Sequence, residues 1–263
     1  LKSENKIHMK KIISSIFSAF LLISLLLAPI SSCSKKDEKN NAEIAYSKAM
    51  KLLNKRSFVE AAEAFIKIDE EYPFSRWALK SQTMAVYAYY KEENYVKLLQ
   101  VVDDFLRLNP ASEYVPYMMY MKGLSYYKQI PEIDRAQDNT QQASFAFREL
   151  VARFPSSEHA ADAKEKLTFI DEHLAGAKMS IGRYDIQNQN YIGAISNFKQ
   201  VIQRYRYTHQ VHEAYFRLVE IYYKIGLKAE ALQAYKELKV LENEGQESIW
   251  LISAIKINPD LFK

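Results

Sequence analysis

One cysteine, six glycines and seven prolines are all that the 263 residues contain. A lone cysteine excludes an internal disulfide in any redox compartment. So few glycines leave few positive-φ turns and few loops able to cradle a phosphate, and so few prolines leave long stretches free to be helical. There is no Gly-x-Ser-x-Gly elbow, Walker loop, dinucleotide fingerprint or His-Glu-x-x-His pair. Strong charge is missing too. Of the formal +4, residues 1–32 carry +3 (Lys2, Lys6, Lys10 and Lys11 against Glu4), which leaves the remainder at +1. A nearly neutral body has no basic footprint for nucleic acid. His209 and His212 stand three apart but lack a supporting ligand set, so they read as surface or helix-capping residues and no metal is expected. Asp69-Glu70-Glu71 and Glu92-Glu93 read as solvated helix faces. Arg204 and Arg206, among tyrosines, form a small basic-aromatic cluster suited to contact with a partner protein. Nothing here supports an enzyme or a cofactor.

What is present begins with a leader. From Met9, Lys10 and Lys11 form a basic n-region and Ile12 to Ile30 an apolar stretch. Pro29 breaks its far end, and Ile30-Ser31-Ser32 precede Cys33. Small residues directly before Cys33 mark a cleavable signal peptide over 1–32, with 1–8 read as an extension upstream of Met9. Ile-Ser-Ser-Cys resembles the lipobox of bacterial lipoproteins. That resemblance implies lipidation of Cys33 by a diacylglyceryl thioether, cleavage before it and acylation of the new terminus, which together exceed the two signals needed for stable anchoring. Ser34 stands where an inner-membrane retention signal would place Asp, so the resemblance implies the outer membrane, facing the periplasm. Residues 33–41 then read as the lipidated cysteine and a flexible, solvated tether.

Periodicity dominates the body. A small or aliphatic residue, a larger apolar one four later and another three beyond recur five times. The trios are Ala61/Phe65/Ile68, Leu98/Val102/Phe105, Ala143/Phe147/Leu150, Ala194/Phe198/Val201 and Ala231/Tyr235/Leu238. Spacings of four and three place each trio on one helical face, with the small residue admitting a neighbouring helix. Another apolar-periodic segment precedes each trio, and Pro73, Pro110 and Pro155 stop the first three trio helices. Intervals of 37, 45, 51 and 37 residues allow a polar loop within 131–140 and one long helix from about Glu158 to Gln187. The pattern resembles the tetratricopeptide (TPR) repeat. It predicts an all-α TPR superhelix of about five helix-turn-helix repeats, or about ten helices. Repeats 1–3 fall in 42–156, the long helix with repeats 4–5 in 157–245, and a carboxy-terminal tail in 246–263.

Seven segments carry a closer likeness. They are EEYPFSRWA (70–78), VYAYYK (86–91), FLRLNP (105–110), YVPYMMYMKGLSYY (114–127), IDRAQDN (133–139), FRELVARFPSSEHAADAKEKL (147–167) and HLAGAKMSIGRYD (173–185). With the lipobox, they resemble the outer-membrane protein assembly lipoprotein family BamD across nearly the whole mature chain. The resemblance implies a non-enzymatic accessory of the β-barrel assembly machinery. Its amino-terminal repeats would receive the carboxy-terminal targeting strand of unfolded outer-membrane β-barrel proteins. Its carboxy-terminal repeats would dock on a periplasmic domain of BamA. Candidate client contacts are Tyr72, Phe74, Tyr89, Tyr117 and Tyr120, with Arg135 meeting a carboxylate. Two positions depart from the family pattern: Ala136 follows Asp134-Arg135 where a second Asp is usual, and Arg206 follows Tyr205 where Pro is common. The competing reading is a TPR scaffold lipoprotein in envelope division or peptidoglycan coordination.

Overall fold

The computed structural model describes the backbone of residues 31–242 and 249–259, and the side chains of 41–241 and 249–259. The leader, the Cys33 side chain and the start of the expected tail lie outside the described residues. Eleven helices occur in what is described: α1 (Ser31–Asn54), α2 (Phe58–Glu71), α3 (Arg76–Lys91), α4 (Tyr95–Leu108), α5 (Val115–Tyr127), α6 (Asp138–Arg153), α7 (Glu158–Gln187), α8 (Tyr191–Arg204), α9 (Gln210–Lys224), α10 (Lys228–Glu242) and α11 (Ile249–Ile257). No strand occurs among the described residues, so the fold is all-α and TPR-like.

Two compact units divide the chain at Glu93–Asn94. In the first, α1, α2 and α3 pack pairwise. In the second, each helix from α5 to α10 packs on the next, and α5, α7 and α9 also pack in succession. This is how stacked helical hairpins bury a face that no isolated pair could cover.

All five trios are buried: fourteen of their residues are at most 2 % exposed, and Tyr235 is 5 %. Gly123 on α5 and Gly182 on α7 present bare backbone to the trio phenylalanines. A Cβ added at Gly123 would lie 2.5 Å from Phe147 Cε1, and one at Gly182 2.5 Å from Phe198 Cε1. Trio and glycine together set how closely those helices approach.

The turns repeat as faithfully as the helices. Before α2, α4, α8 and α10 the chain takes one left-handed residue, at Arg56 (φ 63°), Glu93 (59°), Gln189 (60°) and Gly226 (84°). At three of them a backbone bond closes the turn. Ser57 N–H donates to Leu52 C=O (3.1 Å), Asn190 N–H to Asp185 (2.8 Å) and Leu227 N–H to Tyr222 (2.8 Å). That is a Schellman-type stop, which satisfies carbonyls the ending helix leaves free. The Asn94 and Asn190 side chains then cap the next helix, accepting from Lys97 N–H and Gly193 N–H, each at 3.2 Å.

The second hairpin turn is equally uniform. Tyr72, Asn109, Phe154 and Tyr205 share φ of −133°, −128°, −133° and −124°. Each donates its N–H to the carbonyl of the last trio residue before it. Arg206 therefore sits in the same backbone turn as the three prolines.

One expectation is corrected. The stretch 33–41, read as a flexible tether, is helical backbone, because α1 starts at Ser31. No glycine or proline interrupts 31–54, so the helix packed at Ala42, Tyr46 and Ala49 propagates backward. The region 246–263, expected as a carboxy-terminal tail, carries α11 in its described part. Leu251 and Ala254 are buried, the Trp250 ring lies 5.4 Å from Phe216, and Asn258 Nδ2 donates to the Tyr223 hydroxyl at 3.0 Å. The long helix runs from Glu158 to Gln187 as expected, about 45 Å at 1.5 Å per residue.

Candidate functional site

In the first unit, α2 ends at Glu71 and α3 starts at Arg76, so Tyr72-Pro73-Phe74-Ser75 is a tight connection. Tyr72 N–H is held by Ile68 C=O and Ser75 N–H by Tyr72 C=O, both at 2.9 Å. Phe74 is 96 % exposed on this braced turn, and Tyr72 is half-buried beside it. A phenylalanine fully in water contributes nothing to a core. Tyr89 does the opposite. It is 4 % exposed and part of the core with Val86 and Ala85, so the fold withdraws it from any client surface.

In the second unit, Tyr117 and Tyr120 lie three apart on α5 and frame His159 of α7, with ring centroids 5.6 and 5.1 Å away. The Tyr120 hydroxyl donates to Asp162 Oδ2 at 2.6 Å, and Lys166 Nζ donates to Oδ1 at 2.8 Å. Burial works against ionisation of Asp162. The hydrogen bonds from Lys166 and Tyr120, with the charges of Lys166 and His159, outweigh it and hold the carboxyl below its usual range. Tyr120 is thus committed to joining α5 to α7, and Tyr117 is half-buried against the same histidine. Of the five aromatic candidates, the fold leaves Phe74 fully open.

Arg135 stands elsewhere, on the α5–α6 connection at the rim of a cleft of about 820 Å³. That connection is internally braced. Gln137 Nε2 donates to the carbonyls of Glu132 (2.8 Å) and Arg135 (2.9 Å), and its Oε1 accepts from buried Thr140 at 2.7 Å. Ile133 leans on bare Gly176 of α7, where a Cβ would meet its Cδ1 at 3.3 Å. The far walls are α6, α7 and the end of α8, which bring in Phe145, Ile181, Tyr184, Lys178 and Arg204. Arg148, also lining it, is bound by Asp171 at 2.6 and 2.7 Å. The Tyr205 phenol at its edge is pushed above its ordinary value by burial and by the Asp171 charge. Sequence reasoning missed Phe145, Lys178, Ile181 and Tyr184. The available signal was that the three apolar ones fall off the core-facing stripe of their helices, as Phe145 does two residues before Phe147.

The histidines hold no shared site. His209 takes Glu172 through both its backbone N–H (2.9 Å) and Nδ1 (2.8 Å). Arg206 instead stacks on Tyr207, 4.6 Å from the ring centre, and donates to its hydroxyl. Among the described residues no group of three or more His, Cys, Asp or Glu is placed to hold a metal ion, and no helix is long and apolar enough to cross a membrane.

A chain of packed helical hairpins with an open aromatic turn and a basic cleft matches one family model, described as an outer membrane lipoprotein (YfiO), over residues 38–238. It is also 35 % identical over 214 residues to the outer membrane protein assembly factor BamD of Caulobacter vibrioides, spanning 79 % of this chain and 70 % of that protein. The chain belongs to the BamD family. The BamD of Rickettsia prowazekii is 33 % identical over 83 % of this chain and 88 % of its own length. That of Neisseria gonorrhoeae is 31 % identical over 70 % and 72 %. In this BamD-family chain the α8–α9 turn lacks the proline of its earlier repeats but not their geometry.

Proposed function

We propose that this protein is a lipid-anchored, non-enzymatic component of the outer-membrane β-barrel assembly machinery. It takes part in outer membrane protein assembly at the periplasmic face of the outer membrane, held there through Cys33. The turn at Tyr72 and Phe74 holds the extended carboxy-terminal strand of an unfolded barrel protein, while the α7–α10 repeats dock on a periplasmic domain of BamA. The reading rests on one observation above the rest: in a BamD-family chain, a phenylalanine is 96 % exposed on a turn braced at both ends. Barrel-protein termini are extended and aromatic, and an open ring on rigid backbone contributes apolar contact without an ordering cost.

The test separates binding from folding. Phe74→Ala should weaken a fluorescent carboxy-terminal barrel peptide several-fold to about thirty-fold, equivalent to about 1–2 kcal/mol. Its melting temperature and its copurification with BamA should stay unchanged. Full peptide affinity in that variant would defeat the client site, and peptide binding confined to residues 191–245 would defeat the division of labour. For the anchor, Cys33→Ser should abolish incorporation of labelled palmitate and lipoprotein-type processing. Label persisting on the variant would remove the lipid assignment.

A further inference from the structure

The cleft at Arg135 has a composition that neither the repeat architecture nor the client turn explains. Its lining includes four cations, Arg135, Arg148, Lys178 and Arg204, against a single acid, Asp134. Arg148 is neutralised by Asp171. Arg135, Lys178 and Arg204 have no ion-pair partner among the described residues, and they come from three different elements: the α5–α6 connection, α7 and the end of α8. Between them Phe145 and Tyr184 are each 66 % exposed and Ile181 48 %. Large apolar side chains gathered in a concavity and rimmed by unpaired charge of one sign mark an interaction surface, because folding alone gains nothing from leaving them in water.

We propose that this cleft docks an extended segment of a partner protein in which acidic side chains alternate with aromatic or aliphatic ones. Charge complementarity fixes the sign of the occupant. Its distribution fixes the number of charges: one carboxylate can satisfy one or two cations, whereas three cations on three walls call for several acids along a chain. An extended chain presents successive side chains to opposite sides, so its acids reach Arg135, Lys178 and Arg204 while the intervening side chains pack on Phe145, Ile181 and Tyr184. Gln137 already orders the loop that carries Arg135, so little entropy is lost on engagement. The inference goes beyond the assembly role and does not depend on it. It concerns a surface other than the Phe74 turn and a ligand whose charges are internal.

The experiment is fluorescence anisotropy on the full chain in detergent, using a short peptide blocked at both ends in which Asp or Glu alternates with Phe or Leu. Saturable binding that weakens as salt rises is expected. Arg135→Glu and Lys178→Glu should each reduce affinity about three- to tenfold, and the double variant more. Phe145→Ala should reduce it as well, and the exposed Lys48→Glu should not. Circular dichroism melting should show all variants folded, since the reversed groups carry no ion pair in the described structure. Equal binding of the lysine-substituted peptide would overturn the proposal, as would unchanged affinity in both reversals. Equal binding of a peptide whose only acid is its terminal carboxylate would overturn it too. Capture of phosphatidylglycerol vesicles that is lost in the same reversals, with no peptide binding, would replace the acidic segment with a lipid headgroup.

Discussion

Two glycines six residues apart on α7 should respond to the same substitution in opposite directions. At Gly182 an added Cβ would lie 2.5, 2.7 and 3.1 Å from Cε1, Cζ and Cδ1 of Phe198, against an ordinary carbon contact of about 3.5–4.0 Å. Phe198 is fully buried within the α7–α10 core, so its ring cannot swing into solvent, and relief requires α7 and α8 to separate. Alanine in a helix interior gains about 1 kcal/mol over glycine, while overpacking of this kind costs about 1–3 kcal/mol. Gly182→Ala should therefore destabilise by up to about 2 kcal/mol net. For a unit of this size that lowers the melting temperature by about 2–4 °C per kcal/mol. At Gly176 the new Cβ meets one atom, the terminal Cδ1 of Ile133 at 3.3 Å, on a flexible side chain that can retreat. Gly176→Ala should keep most of the helix gain and raise the melting temperature. Differential scanning calorimetry reads both, and a double-mutant cycle with Phe198→Leu isolates the contact. Shrinking the ring should make the double variant better than the sum of the singles. A Gly182→Ala protein that melts higher than wild type, or strict additivity in the cycle, would refute the claim that the bare backbone exists to seat Phe198.

Two further outcomes follow from the same geometry. Arg206→Pro should stabilise by about 0.4–1 kcal/mol, since Tyr205 already adopts the backbone that precedes Pro73, Pro110 and Pro155; denaturant titration with an unchanged slope would show it. Tyr120→Phe should cost about 1 kcal/mol at neutral pH by removing the bond to Asp162. Because the Asp162 carboxyl is held below the ordinary carboxylate range, its contribution is present above that range and disappears as pH falls through the folded value. The stability gap between wild type and Tyr120→Phe, followed by melting at successive pH, should therefore close on acidification; a constant gap would mean that Asp162 is not the partner that matters.

The buried half of this protein was legible because burial in a helix is periodic. Each trio repeats at four and three, and the long helix between Glu158 and Gln187 is the simplest way to place the fourth trio 51 residues after the third. The turns were not legible for an equally physical reason. Left-handed residues are announced by glycine, yet three of the four here are Arg56, Glu93 and Gln189, none of which prefers that conformation, and Schellman bonds close the turns at Arg56 and Gln189. Likewise Arg206 conceals a turn that proline announces elsewhere. The helix Ile249–Ile257 escaped because nine residues are too few to show a period, and its anchor to Phe216 joins residues 34 apart.

Function was legible only where it coincides with a segment likeness, and the two proposed binding features show why. Tyr72 and Phe74 stand two apart in sequence, so a short match can carry them together, although it could not tell that Phe74 is open and Tyr89 closed. The cleft draws its cations from positions 135, 178 and 204 and its apolar side chains from 145, 181 and 184. No window of sequence contains them, and each looks ordinary on its own helix: a lysine, an off-face phenylalanine, a tyrosine near a helix end. What distinguishes them is that the α5–α6 connection, α6, α7 and α8 converge there, while the trios of α6 and α8 occupy the buried faces of those two helices. A repeat fold makes its core conspicuous by repetition. For the same reason, its binding surfaces belong where the repetition is interrupted, and here the longest connection between described helices within a unit and the longest helix meet at one cleft.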